Sequence, residues 1–131
     1  MRYLVLMAEA DPSTWDRATE PERQEIMRRH SAFDRAVRER GRMVAGEALA
    51  GVGAATTLRP GHDGRAVTDG PFAETVEQLG GFYLIDVDHL DLAVELCQLL
   101  PDSYTVELRP VIDIDGADEP ASSQSGGDGA R

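Results

Sequence analysis

Two short segments of the sequence are apolar on both of the faces that a β-strand would present. They are residues 3–7, with the sequence YLVLM, and residues 82–87, with the sequence FYLIDV. Because alternate side chains of a strand point to opposite faces of its sheet, such strands have to be covered on both sides. A small open sheet that left one of these faces in water would expose a large apolar patch. The sequence therefore predicts a sheet with helices on one face and a second covering on the other.

The longest helix is predicted between Thr19 and Arg40. Thr19 and Glu22 have the spacing of a capping box, and Gly41 marks the end of the helix. The helix has an apolar stripe, which consists of Ile26, Phe33 and Val37. His30 lies on the same stripe, four residues after its first member, so this imidazole is expected to point towards the sheet.

Further segments with strand or helix patterns follow this helix. The predicted elements are a strand over residues 43–49, a hairpin with arms at 54–59 and 65–68, a loop at 69–79, a strand at 82–87, a helix from a cap at Asp88 to Pro101, and a strand at 104–109. Together they form an α+β, ferredoxin-like βαββαβ plan with an inserted β-hairpin, in which an antiparallel sheet carries its helices on one face. Residues 1–112 make this domain, and residues 113–131 are predicted to be an acidic, disordered tail.

The face of the sheet without helices needs a cover, and a second copy of the chain is the simplest one. A two-fold contact lets the same apolar face bury itself against its own copy. The sequence therefore predicts a homodimer with stacked sheets and a cleft between sheet and loops.

Charge and composition exclude several classes of partner and compartment. The chain of 131 residues has a formal net charge of -11, from 24 acidic and 13 basic residues. Nucleic-acid and anionic-membrane binding require a basic surface, so neither partner is expected. The first apolar run is too short for a signal peptide, and no run approaches the length of a membrane span. With Cys97 as the one cysteine, an intramolecular disulfide is impossible, and a cytoplasmic location is predicted.

The segment at residues 69–75, DGPFAET, and the segment at residues 77–86, EQLGGFYLID, are the most specific motifs of the chain. They resemble the DGPF-motif branch of the YCII-related family, and the resemblance extends over about residues 1–112. It implies a dimeric α/β barrel. Some relatives are cofactor-independent lyases that act on small cyclic molecules, whereas members of the DGPF branch are often encoded beside extracytoplasmic-function sigma factors.

The resemblance also points to candidate catalytic residues. The related lyases pair a histidine of the first helix, here His30, with a carboxylate near the end of the first strand. Glu9 and Asp11 both follow that strand, and an acid beside a histidine would orient the ring and stabilise its charged form. The alternatives stay open: His30 can equally be a core histidine with one hydrogen bond, and each carboxylate an ordinary surface acid.

Four further residues are candidates for substrate binding: Asp69, Phe72 and Glu74 in the 69–79 loop, and Glu47 at a strand end. A loop of this kind could close over the cleft. Turn formation is the competing explanation, because Asp, Gly and Pro are the residues that turns require.

No metal site and no cofactor are predicted, because the sequence has neither a metal-ligand spacing nor a glycine-rich phosphate loop. The leading hypothesis is a homodimer that binds a small organic molecule near His30, either as a ligand-binding protein or as an acid–base lyase or isomerase. The competing hypothesis is a non-catalytic ligand sensor or protein-interaction module linked to sigma-factor regulation.

Overall fold

The structure is a computed structural model, and it describes residues 1–114. The predicted tail at 113–131 lies, apart from its first two residues, outside the described residues. The strands are β1 (Arg2–Glu9), β2 (Arg42–Ala48), β3 (Thr56–Gly61), β4 (Gly64–Asp69), β5 (Gln78–Asp86) and β6 (Tyr104–Pro110). The helices are α1 (Thr14–Arg17), α2 (Glu20–Arg40) and α3 (Leu90–Cys97), with a short 3-10 helix at Val52–Ala54.

Four strands form an antiparallel sheet in the order β2-β5-β1-β6. This order and the helices that connect the strands are consistent with an α+β ferredoxin-like fold. Strands β3 and β4 pair with each other in a separate two-stranded sheet, in which Gly61 pairs with Gly64. Gly64 has a φ of 103°, a left-handed conformation that glycine adopts without a steric penalty.

Helix α2 begins with the predicted capping box. The Thr19 N–H donates to the Glu22 carboxylate at 2.7 Å, and the Glu22 N–H donates to the Thr19 hydroxyl at 3.3 Å. The helix ends at Gly41, whose N–H donates to the carbonyl of Val37 at 2.7 Å. Both ends predicted for this helix are confirmed.

The core lies between the two long helices and one face of the four-stranded sheet. Its buried side chains are Tyr3, Val5, Met7, Phe33, Val37, Ile85, Val87, Leu92, Ala93, Leu96, Cys97 and Leu100. Phe33 and Val37 are fully buried, as the apolar stripe of α2 predicts. Burial raises the pKa of the Cys97 thiol to about 11, so this group stays protonated at neutral pH.

Within residues 1–114, no helix packs on the opposite face of the four-stranded sheet, and we call it the outer face. Strand register places four large apolar side chains at its centre, all half-buried within the single chain: Leu4, Leu6, Phe82 and Leu84. Charged side chains surround them, among them Arg42 and Asp86, which form an ion pair at 3.3 Å.

Three local features differ from the sequence-based predictions. The segment after β1 contains the short helix α1 rather than only a loop. Strand β5 begins at Gln78, four residues earlier than predicted, because β1 continues past a bulge after Met7 and pairs with it. Helix α3 is capped by His89 instead of Asp88, since the Nδ1 atom of His89 accepts the N–H of Leu92 at 3.2 Å, and it ends at Cys97 rather than just before Pro101.

No helix within residues 1–114 is both long enough and apolar enough to cross a membrane.

Candidate functional site

The side chain of His30 extends from helix α2 towards the sheet, and both of its ring nitrogens contact tyrosine hydroxyls. Its Nδ1 atom is 2.7 Å from the Tyr83 hydroxyl oxygen, and its Nε2 atom is 2.9 Å from the Tyr104 hydroxyl oxygen. The ring thus points towards the sheet, as its place on the apolar stripe of α2 predicts. We refer to His30, Tyr83 and Tyr104 as the triad.

Strand order explains why the two tyrosines meet the same imidazole. Strands β5 and β6 flank β1, and their residues Tyr83 and Tyr104 are opposite Val5 and Glu9 of that strand. Directly opposed residues of antiparallel strands point to the same face. Both phenols therefore rise from the sheet towards α2, one on each side of β1.

Two neighbours hold the Tyr83 ring in position. The ring of Phe33 packs against it with 4.8 Å between centroids and a 44° angle between planes. The second neighbour is Gly46 of β2, which pairs with Tyr83 and where an added Cβ atom would be 2.4 Å from Cδ1 of Tyr83. The missing side chain of Gly46 therefore provides the space that the Tyr83 ring occupies.

Burial keeps all three members of the triad neutral at pH 7. It lowers the pKa of His30, because a buried imidazole loses the hydration that its charged form needs. Burial, and then the charge of Asp34, raises the pKa of Tyr83. Burial, followed by the charge of Glu9 and by Tyr83, raises the pKa of Tyr104 to about 12.

The two carboxylates predicted to accompany His30 have different surroundings. Glu9 ends β1 directly opposite Tyr104, and its pKa is raised by burial and then by Asp11. Asp11 is exposed and accepts hydrogen bonds from the backbone and hydroxyl of Ser13 at 3.0 and 2.6 Å, and it also pairs with Arg17. These contacts engage Asp11 in the turn before α1, whereas Glu9 lies beside one phenol of the triad.

An open groove of about 630 Å³ lies beside the triad. Its lining consists of His30, Ser31, Asp34, Arg35, Arg38, Glu39 and Tyr83. Asp34 and Arg38 form an ion pair at 3.0 Å across one turn of α2. Tyr104 is not part of the lining, so Tyr83 is the phenol of the triad that a molecule in the groove would meet.

The predicted substrate-binding residues lie away from this groove in the single chain. Asp69 ends β4, and Phe72 and Glu74 follow in an exposed loop. Phe72 is 80% exposed, and its carbonyl accepts a hydrogen bond from Arg59 at 2.8 Å. Glu47 pairs with Phe82, which places it on the outer face, opposite His30.

Sequence reasoning missed both tyrosines of the triad. Tyr83 lies in the predicted strand 82–87 and Tyr104 in the predicted strand 104–109, and the apolar pattern of these segments assigns neither of them to a site. One signal could have identified them: an inward-pointing tyrosine needs a hydrogen-bond partner for its hydroxyl, and the histidine on the facing stripe of the helix can provide one.

Among residues 1–114, no group of three or more His, Cys, Asp or Glu side chains is arranged to hold a metal ion.

We expect the neutral form of His30 to make stability dependent on pH. The folded-state pKa lies below the unfolded value of about 6.5. Between these two values the unfolded chain binds more protons, so stability rises with pH in that window. The contribution of His30 is therefore complete above pH 6.5 and is lost as the pH falls below it. Urea midpoints measured between pH 8 and pH 5 test this dependence.

The matched variant is His30→Gln, whose amide can donate to one phenol and accept from the other but does not titrate. Tyr83 and Tyr104, which contact the ring, are retained in this variant. Asp34 and Glu9, whose charges act on these two phenols, are retained as well. Its urea midpoint should fall less between pH 7 and pH 5 than that of the unsubstituted protein. Equal falls in the two proteins would contradict the lowered pKa of His30.

Comparisons with known proteins identify the family of this chain. The YCII-related domain matches residues 1–115. An uncharacterized protein of Rhizobium meliloti (strain 1021) is 39% identical over 117 residues, which covers 85% of this chain and 92% of that protein. The chain therefore belongs to the YCII-related domain family.

Proposed function

We propose that the protein binds a small organic molecule in the groove beside the triad and that His30 provides acid–base chemistry there. The observation that carries this proposal is a neutral, half-buried imidazole that lines an open groove and is held by a hydrogen bond at each nitrogen. A histidine with a lowered pKa is unprotonated at neutral pH, so it can take up a proton that a bound ligand releases through the phenol hydroxyl at its bare nitrogen. Proton abstraction followed by isomerisation or elimination is the reaction class that this arrangement supports, and it needs no cofactor.

Glu9 is the carboxylate that the geometry favours as the partner of this chemistry. Its position opposite Tyr104 connects it to His30 through one phenol. Its raised pKa brings its titration closer to neutral pH, which suits a group that takes up a proton temporarily. Asp11 would assist by its charge, which already acts on Glu9.

A fragment screen observed by NMR tests the binding proposal. The probe is a library of small neutral and carboxylate-bearing fragments, and the expected shift changes cluster at Ser31, Asp34, Arg35 and Tyr83. The Tyr83→Phe variant removes the triad hydroxyl that lines the groove and should weaken binding about two- to tenfold, the effect of losing one neutral hydrogen bond. Arg28→Gln, on helix α2 but outside the groove, is the control and should bind normally. Shift changes that avoid the groove would refute the proposal.

We further propose that the protein is a homodimer of the dimeric α/β-barrel type, joined through the outer face. Support comes from the apolar centre of that face, formed by Leu4, Leu6, Phe82 and Leu84, and from its rim of both charge signs. A two-fold axis would bring such a face against its own copy. The 69–79 loop with Asp69, Phe72 and Glu74, together with Glu47, would contribute to a ligand site through this second chain.

Light scattering at micromolar concentration tests the dimer, with a dimer mass as the expected result. The Leu6→Glu variant should have a monomer mass, because each of the two chains would place one negative charge in the apolar contact. The matched control is Leu90→Glu, which changes a side chain that is 49% exposed in the first turn of α3. A monomer mass for the unsubstituted chain would rule the homodimer out.

One observation favours the second candidate function, a protein-interaction module of the DGPF branch linked to sigma-factor regulation. Strands β3 and β4 and the loop after them expose four apolar side chains by 54–84%: Leu58, Val67, Phe72 and Val76. Exposed apolar patches are typical of interaction sites. Mixing the protein with a purified extracytoplasmic-function sigma factor and measuring the mass of the complex tests this function, with Val67→Lys as the variant that should weaken the complex.

A further inference from the structure

The two phenol hydroxyls of the triad restrict where the protons of His30 can lie. A neutral imidazole has one N–H donor and one bare nitrogen acceptor. With a hydroxyl at each nitrogen, one phenol must donate to the ring while the other accepts from it. The accepting phenol then has its own O–H free to point elsewhere.

Two arrangements satisfy this constraint. In the first, Tyr83 donates to Nδ1, Nε2–H donates to Tyr104, and the Tyr104 O–H points away from the ring. In the second, Tyr104 donates to Nε2, Nδ1–H donates to Tyr83, and the free O–H belongs to Tyr83. The two differ only in the placement of protons along three side chains, so the ring tautomer decides which end of the triad has the free donor.

The two ends of the triad open onto different surroundings. Tyr83 lines the groove and lies close enough to Asp34 for that charge to act on it. Tyr104 lies outside the groove lining and directly opposite Glu9, on the same face of the sheet. Each free O–H therefore has a carboxylate on its own side.

We propose that His30, Tyr83 and Tyr104 form a proton relay between the groove and Glu9, in which Tyr83 is the group that contacts the ligand. This inference rests on the proposed function and assigns roles to two tyrosines within the same site. Tyr83 is then a catalytic residue, and Tyr104 is a positioning residue that acts through the imidazole.

The proton balance of the relay is complete within these residues and the ligand. Starting from the first arrangement, the ligand gives a proton to the Tyr83 oxygen as the Tyr83 proton moves to Nδ1. The Nε2 proton moves to the Tyr104 oxygen, and the Tyr104 proton moves to the Glu9 carboxylate. The ligand has lost one proton and Glu9 has gained one, while the triad has passed into its second arrangement and stays neutral. The half-buried phenols and imidazole thus carry no net charge at either end of the step, which avoids the cost of charging a group that is partly removed from water.

The position of the ring proton in the ligand-free protein tests the relay. NMR of ¹⁵N-labelled histidine distinguishes a protonated from a bare ring nitrogen. A phenol is a stronger donor than a neutral imidazole N–H, so a single remaining phenol should donate to the nitrogen beside it. Tyr83→Phe should therefore yield the Nδ1–H tautomer and Tyr104→Phe the Nε2–H tautomer. The unsubstituted protein should show both nitrogen signals between these two limits, as exchange between the arrangements requires.

Two controls are present in the chain. Tyr3→Phe removes the third tyrosine, a buried core residue of the same sheet face, and should leave the His30 signals unchanged. His89 should keep the Nε2–H tautomer in every variant, because its Nδ1 atom accepts the N–H of Leu92.

The same tautomer in both tyrosine variants, a protonated ring at neutral pH, or an unsubstituted protein locked at one limit would each overturn the relay. The measurement needs no ligand, so a result against the relay does not contradict the groove-binding proposal, which the fragment screen tests separately. Conversely, opposite tautomers in the two variants would support the relay even where the fragment screen finds no ligand.

Discussion

Replacement of Phe33 by alanine is expected to lower the free energy of unfolding by about 3–5 kcal/mol, the usual cost of removing a buried aromatic side chain. Phe33 is fully buried in the core between α2 and the sheet, and it packs against the ring of Tyr83 at 4.8 Å. Alanine would leave a cavity that the surrounding side chains fill only in part. Since small domains are stable by about 5–15 kcal/mol in total, this is a large fraction of the stability.

Urea denaturation of the variant and of Phe72→Ala provides the comparison. Phe72 is 80% exposed, so its replacement should change the stability of the chain by no more than about 0.5 kcal/mol. A loss at Phe33 as small as that at Phe72 would mean that the packing between α2 and the sheet is not as described. The variant also removes one support of Tyr83, and the hydrogen bond between Tyr83 and His30 should weaken with it.

Replacement of Gly46 by alanine is expected to disrupt the triad by displacing Tyr83. The new methyl group would lie 2.4 Å from Cδ1 and 2.8 Å from Cε1 of that ring, so the ring or strand β2 has to move. Overpacking of this kind costs about 1–3 kcal/mol. Displacement of Tyr83 would break its contact with Nδ1 of His30 and admit water, so the pKa of His30 should rise towards 6.5. An NMR titration of the His30 ring measures this change.

The matched control for Gly46→Ala is Gly51→Ala. Gly51 has a φ of -60° and no atom within 4 Å of an added Cβ, so alanine fits there without strain. The pKa of His30 should stay unchanged in this control. A Gly46→Ala protein with an unaltered His30 titration would show that Tyr83 does not depend on the space beside Gly46.

Both predictions test the packing that holds the Tyr83 ring in place. The Tyr83 ring packs against the large side chain of Phe33 and also fills the space that the absent side chain of Gly46 leaves. A phenol that is confined in this way keeps its hydroxyl within hydrogen-bonding distance of His30 without a large loss of side-chain entropy on ligand binding. Positioning by rigid packing is what an acid–base site needs, because proton transfer depends on short and well-aligned hydrogen bonds.

The 69–75 motif is attached to the β3–β4 hairpin and lies away from the groove beside the triad. Its residues contact the β3–β4 sheet: the N–H of Gly70 donates to the carbonyl of Ala55 at 2.8 Å, and the hydroxyl of Thr57 donates to the carbonyl of Gly70 at 2.6 Å. Gly70 has a φ of 98°, which explains why a glycine stands there. Turn formation accounts for these contacts, and the contribution of Asp69, Phe72 and Glu74 to a ligand site stays a prediction.

The sequence by itself determined the features that depend on neighbouring residues. The order of strands and helices follows from apolar periodicity, the start of α2 from the spacing of Thr19 and Glu22, and the inward direction of His30 from its place on the helix stripe. All of these are interactions within about one or two helical turns or along one strand, where residue spacing dictates which side chains share a face.

Only the tertiary structure decided what His30 meets. Tyr83 and Tyr104 are 53 and 74 residues away from it along the chain, and they reach it because β5 and β6 flank β1. The tertiary structure also separated Glu9, opposite Tyr104, from Asp11, which Ser13 and Arg17 engage in a turn. Strand pairing and register are set by contacts across the whole fold, so residue spacing alone could place an imidazole on the inner face of α2 but could not specify its two phenol partners.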